Sequence, residues 1–376
     1  MDYNKLALEM HKKYKGKIEI KSKIKLENKE DLSIAYTPGV AEPCRKIAED
    51  KELVYDYTSK GNLIAVVSDG SAVLGLGNIG PEAGMPVMEG KAILFKEFAN
   101  VDAIPLCIDT QDSEEIIKFV KQIAPTFGGI NLEDISAPRC FEINNALQDI
   151  GIPVFHDDQQ GTAVVVLAAL INACKITKKE IGELTVTICG AGAAGTAIGK
   201  ILNVKNILIC DSVGIISESR TDLNAAKRSL LEFTNKTNIS GDLGEAMSHS
   251  DVFIGVSAPN IVTEEMVQSM NKDPIVFAMA NPNPEILPDL AEKAGAVIVG
   301  TGRSDFKNQI NNVLAFPGIF RGALDARARK ITPEMMIAAA GALADYIEPE
   351  KDKILPSPLD KGVALKVAEA VKNVSL

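Results

Sequence analysis

Short apolar runs alternate with longer helical stretches along most of the chain. In the first half, LIAVV (63–67), AIPLCI (103–108), GGINL (128–132) and IPVF (152–155) read as strands. Between them the pattern predicts a helix over 113–124, with Ser113 as its cap and Glu114 and Glu115 suited to the positive end of the helix dipole. A second helix is expected from Ala137 to about Ile150, ahead of the punctuation at Gly151 and Pro153. The second half repeats the alternation with TVTIC (185–189), NILIC (206–210), VFIGV (252–256), IVFAM (275–279) and AVIVG (296–300). These runs are rich in β-branched residues and too continuously apolar for a half-exposed sheet, so both faces should be covered, as in parallel α/β architecture. The tail reads as helical: Thr332 caps, Pro333 takes the first helical position and Pro349 stops the run.

Length divides this pattern. At 376 residues the chain exceeds the ~250–300 residues at which a single core stops growing, so two domains are expected. The boundary should fall at 156–165, where a strand gives way to HDDQQGTA and a long apolar helix. The hydrophobic content of 46% excludes disorder. The longest apolar stretch, 163–174, falls short of the ~20 residues that a bilayer demands, and the opening residues are too charged for a secretory signal. No membrane association is therefore expected. A net charge of −10 disfavours nucleic acid as a partner. The six cysteines show no C-x-x-C spacing and sit mostly in apolar runs, which suits buried thiols in a reducing cytoplasm rather than a disulfide framework or a zinc site.

The pattern G-x-G-x-x-G occurs twice, so the bare motif decides nothing. The copy over 75–80 runs into Pro81, Gly84 and Pro86, and no helix is expected to follow; it reads as a turn-rich loop. The copy formed by Gly190, Ala191, Gly192, Ala193, Ala194 and Gly195 follows a strand directly and opens a small-residue helix, as a dinucleotide-binding βαβ unit requires. Asp211 then ends the next strand, where a carboxylate can accept from a ribose 2′-hydroxyl and repel a 2′-phosphate. Ser212, Val213 and Gly214 bring no adjacent cation, so NAD is favoured over NADP, with Arg220 the residue that weakens the inference.

Two acidic pairs, Glu133-Asp134 and Asp157-Asp158, each follow an apolar strand. If they converge, a cation must join them, and carboxylates without cysteine match Mg²⁺ or Mn²⁺; spacing alone leaves solvated surface acids as an equal alternative. Of three histidines, His11 and His249 read as surface residues and His156 as a structural hydrogen-bonder. No Ser-His-Asp arrangement is visible, so proton transfer falls to Lys or Tyr.

The segments AYTPGVA (35–41), SDGSAVLGLGNIGPEAGMPVMEGKAILFK (68–96), NLEDISAPRCFEI (131–143), FHDDQQGTA (155–163), CGAGAAG (189–195), ANPNPE (280–285) and QINNVLAFPGIFRGALD (309–325) together resemble malic enzyme, in the order and spacing of its small prokaryotic form. The resemblance covers nearly the whole chain. It implies a metal and substrate domain over 1–157, a Rossmann-like doubly wound NAD-binding domain over 158–311, and C-terminal helices over 312–376 that pack back on the first domain. It further implies Tyr36 as general acid, Lys91 as general base, and Glu133, Asp134 and Asp158 as metal ligands, with Asp157 supporting them. Lys91, Asn281, Asn311 and Asn312 match positions near substrate and nicotinamide. Where the large malic enzymes carry an arginine for a malate carboxylate, this chain has Ala72. The implied activity is oxidative decarboxylation of malate by a homodimer. A malolactic conversion to lactate and a silent NAD-sensing protein are the rivals.

Overall fold

The computed structural model describes residues 2–375 and contains two sheets. The first has strands β1 (Leu63–Ser68), β2 (Asp102–Cys107), β3 (Gly129–Leu132) and β4 (Val154–His156), all parallel, in the order β2-β1-β3-β4. The second has β5 (Thr185–Cys189), β6 (Asn206–Asp211), β7 (Gly214–Ile215), β8 (Val252–Gly255), β9 (Ile275–Ala278) and β10 (Ile298–Thr301), in the order β10-β9-β8-β5-β6-β7, with only β7 antiparallel. Each sheet winds outward from a central strand, first to one side and then to the other. Such reversals open a crevice at the strands' carboxyl ends. In the first sheet it lies between β1 and β3, in the second between β5 and β8.

Every expected strand is present, shifted by two residues or fewer at most ends. The helices differ more. Asp112, not Ser113, caps Ser113–Ile123, because its carboxylate accepts from Glu115 N at 2.9 Å. The helix expected over 137–150 is confined to Arg139–Ala146, started by Pro138 and ended where Asn144 and Asn145 carbonyls take the terminal amide of Leu147. The largest correction concerns the first glycine loop. A 19-residue helix, Pro81–Ala99, begins immediately after Gly80, with Pro81 at its first position and Pro86 inside it. Proline is tolerated in a first turn, where amides lack partners anyway.

One apolar cluster joins the two sheets. Its axis is the buried helix Thr162–Thr177. The stretch Asp157–Thr177 is long and apolar enough to cross a bilayer, yet it lies largely inside the molecule. The C-terminal helix Phe316–Asp325 closes on the first sheet's flank: Phe316 and Phe320 pack edge-on against Phe95 at 4.7 and 5.3 Å between ring centroids, and Phe320 against Phe155 at 5.9 Å. The N-terminal segment behaves oppositely. Helices Tyr3–Tyr14, Lys29–Ala35 and Ala41–Glu49 bury no residue, and apolar side chains along this arm, Ile20 at 96% among them, stand in solvent. The Lys17 ammonium and amide tie it to Pro86 O and Glu89 at 2.7 and 3.0 Å.

Candidate active site

Parallel pairing of β3 with β4 sets Leu132 opposite His156. The residues that follow each strand therefore emerge side by side, and the two acidic pairs converge. After β4 the chain makes one π-helical turn over Asp157–Gly161, a local widening that recurs at functional sites. Gly161 allows it, since a Cβ there would stand 1.9 Å from Asp157 Oδ1. Oxygens of Glu133, Asp134 and Asp158 lie within 4.8 Å of one another. Asp134 adopts a left-handed backbone, φ +53°, and its amide donates to Asp158 Oδ2 at 3.0 Å.

Lys91 reaches this cluster from the middle of helix Pro81–Ala99. Its Nζ lies 2.6 Å from Asp157 Oδ2, 3.0 Å from Glu133 Oε1 and 4.3 Å above the Phe316 ring. Asn312 donates to the same Asp157 oxygen. Burial alone pulls the lysine down, but Asp157 and Glu133 outweigh it and hold the ammonium well above its ordinary value. This departs from the lowered value that a base near neutrality needs. Burial pushes Glu133 well up despite Lys91, and repulsion from Asp158, Asp157 and Asp134 pushes it further. Glu133, Asp134 and Asp158 make an all-oxygen donor set whose negative charge the one ammonium of Lys91 does not balance, which fits Mg²⁺ or Mn²⁺.

Other expected residues fall into place unevenly. His156 is buried, and among the described residues neither ring nitrogen has a hydrogen-bond partner, which differs from the structural hydrogen-bonder expected; burial pulls its pKa down, against the pull of Asp158. Asn281 is exposed in the loop after β9, and its carbonyl lies 3.3 Å from where a Cβ on Gly75 would sit, so the first glycine loop meets the second sheet there. The Asn311 side chain caps the turn Asn312–Leu314, accepting from Val313 N at 2.9 Å. Tyr36 stands apart. It ends helix Lys29–Ala35, is 67% exposed, and among the described residues no hydrogen bond joins its phenol to the carboxylates.

The second glycine loop leaves β5 and enters helix Ala193–Ile201 with Gly192 at the N-cap. Gly190 has φ +126°, and a Cβ on Gly195 would sit 1.8 Å from Gly190 O, so the turn closes only with glycine at both places. Ala191, Ala193 and Ala194 line the same turn. Asp211 ends β6 but is ion-paired to Arg220 at 2.7 Å and Lys227 at 2.5 Å; the adjacent residues bring no cation, and more distant ones bring two.

Several supporting residues escape sequence reasoning. Arg139 binds Asp69 at 2.7 Å, Ser71 at 2.9 Å and Ser136 at 3.0 Å, locking the loops after β1 and β3 together. Asn131 donates to Glu133 Oε2 at 2.8 Å. Buried Glu285 accepts from Ser257 N at 2.9 Å and Ala280 N at 3.0 Å, fixing the Asn281 loop. Glu285 closes the ANPNPE segment and is set between Pro284 and an apolar run, but nothing in the chain tells its role from that of a surface acid.

Comparison with known proteins gives one answer. Residues 15–115 and 110–148 match the family model of the malic enzyme N-terminal domain, and residues 159–375 that of the malic enzyme NAD-binding domain. The bifunctional malic/malolactic enzyme of Bacillus subtilis is 56% identical, over 100% of this chain and 94% of that protein. The NAD-dependent malic enzyme of Geobacillus stearothermophilus is 57% identical over 95% and 76%. Among solved structures, the NAD-dependent malic enzyme of Thermotoga maritima superposes with a TM-score of 0.95 at 52% identity, covering 97% of this chain and 98% of that one. Matched by both family models along most of its length and by relatives over its full length, this chain belongs to the malic enzyme family.

Proposed function

We propose that this chain oxidatively decarboxylates (S)-malate to pyruvate and CO₂, reducing NAD⁺, with Glu133, Asp134 and Asp158 as ligands of Mg²⁺ or Mn²⁺. The observation that carries this reading is the buried lysine set among converging carboxylates at the ends of β3 and β4. A divalent cation there would acidify the malate hydroxyl, stabilise enolate charge and offset the carboxylates that now hold Lys91 protonated, leaving burial to pull the lysine down. Asp157 and Asn312 orient the Lys91 amine. Lys91 would take the malate hydroxyl proton, and the loop of Gly190, Ala191, Gly192, Ala193, Ala194 and Gly195 would hold the NAD⁺ that serves as acceptor of the C2 hydride. Loss of CO₂ gives the enolate of pyruvate, and Tyr36 protonates its C3. Asn281 and Asn312 border the space for substrate and nicotinamide, and Asn311 holds that border in shape. Ala72 offers no arginine, so malate must lean on the cation and backbone amides.

We read the chain as organised into 1–157, 158–311 and 312–376, and as a cytoplasmic homodimer. Support for a dimer comes from the exposed apolar arm, which carries Tyr36. A second copy covering the arm would bring Tyr36 to the partner's carboxylates. Malate, NAD⁺ and Mn²⁺ should yield NADH and pyruvate in equal amounts, and none after chelation of the metal. The identity to a relative named malic/malolactic favours one second reading, in which pyruvate is reduced to lactate before release. Lactate without accumulating NADH would select it, and NAD binding without turnover would overturn both.

A further inference from the structure

Glu285 is a buried acid that the carboxylate and lysine chemistry does not use. It is 0% exposed, and among the described residues no cation is paired with it. Main chain alone holds its carboxylate. Oε1 accepts from Ser257 N at 2.9 Å and Oε2 accepts from Ala280 N at 3.0 Å. Amide donors on both oxygens favour the ionised form, against the burial that pushes the carboxyl up. The backbone here is fixed as well, since Glu285 O accepts from Val262 N and Pro284 O from Asn260 N, both at 3.0 Å. Neutral carbonyls could hold two amides equally. A buried charge is costly to keep unless something of opposite sign comes near it.

The carboxylate lies where three strands end. A Cβ on Gly255, the last residue of β8, would stand 2.3 Å from Glu285 Cδ. Ser257 Oγ lies 3.3 Å from Sγ of Cys189, which ends β5, and Ala280 joins the end of β9 to Asn281. Val256 O would lie 2.7 Å from a Cβ on Gly190, so the loop after β8 abuts the first glycine of the dinucleotide turn. In a doubly wound sheet the coenzyme crosses the crevice at the strand reversal, here between β5 and β8. Asp211, at the end of β6, marks the adenosine half, so the nicotinamide falls to the half built on β8 and β9. The oxidised ring carries one positive charge. On gaining two electrons and a proton as a hydride it becomes neutral. A fixed carboxylate beneath the loops that border the ring therefore attracts one redox form and not the other.

We propose that Glu285, set beneath the loops of Ser257 and Ala280, favours the oxidised nicotinamide over the reduced one and so eases the departure of NADH. This rests on the glycine loop being the dinucleotide site. Titration calorimetry of the intact protein with NAD⁺, NADH and ADP-ribose, which lacks the nicotinamide, tests it without malate or metal. The unaltered protein should bind NAD⁺ at least as tightly as NADH. Glu285→Gln should weaken NAD⁺ about tenfold while NADH and ADP-ribose stay within about twofold. Glu285→Asp keeps the charge and should retain most of the preference. Tighter binding of NADH by the unaltered protein overturns the proposal, as does a ratio of NAD⁺ to NADH affinity that Glu285→Gln leaves unmoved or that Glu285→Asp loses as fully. Equal weakening or loss of all three ligands in Glu285→Gln would make the residue a support for the loops alone and overturn it too. Failure of the unaltered protein to bind ADP-ribose would instead remove the dinucleotide site, and the proposal with it. Redox discrimination without malate turnover would leave the proposal standing and defeat only the malate reading.

Discussion

Lys91 and Glu133 illustrate how a side chain's chemistry depends on neighbours far away in the chain. Glu133 is pushed up by burial and by the acids around it, so protons compete with Mn²⁺ above the ordinary glutamate range of about 4.3. A raised carboxyl is protonated on the acid side of its shifted value. Mn²⁺ affinity should therefore climb as pH rises through that value, with proton release on binding; calorimetry in buffers of different ionisation heat would detect it, and a flat profile above pH ~5 would count against it. The proton roles separate by substitution. Lys91→Ala should abolish both malate oxidation and oxaloacetate reduction. Tyr36→Phe should spare oxaloacetate reduction to within a few-fold while slowing pyruvate release about a hundredfold or more; equal loss of reduction in both variants would contradict the division of labour. The carboxylates were legible in the chain, because an acidic pair after an apolar strand lies at a sheet's functional edge. The lysine's charge was not, since it is set by Asp157, brought 2.6 Å away by packing that spacing does not reveal.

At the scale of elements, strands were easier to read than helices. Buried strands such as TVTIC announce themselves by continuous β-branched runs, and β5 matches its expected bounds. Helix Pro81–Ala99 hides behind Gly84 and Pro86, residues that punctuate loops elsewhere; tertiary packing of Met88, Ala92 and Phe95 overrides that local signal. Caps give this a measurable form. Asp112→Ala should cost ~1 kcal/mol in urea unfolding while Ser113→Ala costs little, and the reverse order would restore Ser113 as the cap. The glycine loop makes a sharper demand. A methyl on Gly195 would collide with Gly190 O, so Gly195→Ala must displace the turn, and the KM for coenzyme should rise about tenfold or more while Mn²⁺ affinity is kept. An unchanged KM would mean that the loop does not approach the pyrophosphate.

The whole molecule poses a question that neither residues nor elements answer, which is how Tyr36 meets Lys91. One is an exposed residue on an arm that buries nothing, the other a buried residue under the Phe316 ring. Exposed apolar residues spread along the arm at Leu8, Ile20, Ile24 and Ile34 amount to a surface that water penalises and a second copy could cover. Sequence reasoning reached a dimer only by resemblance, because an apolar residue destined for a partner looks the same in a chain as one destined for the core. A composite site makes a specific demand on mixtures. Take Tyr36→Phe, which keeps its lysine, and Lys91→Ala, which keeps its tyrosine. If each site draws Tyr36 from the other copy, a heterodimer of the two holds one site with both residues intact and one with neither. If each chain serves itself, both sites of the heterodimer are broken. Unfolding, mixing and refolding equal amounts should therefore restore about one quarter of the unaltered activity under random pairing, with Lys91 and Tyr36 acting across the interface. Activity no greater than the mean of the two separate variants would assign Tyr36 to its own chain's site, reached by the arm folding back past its Lys17 tether.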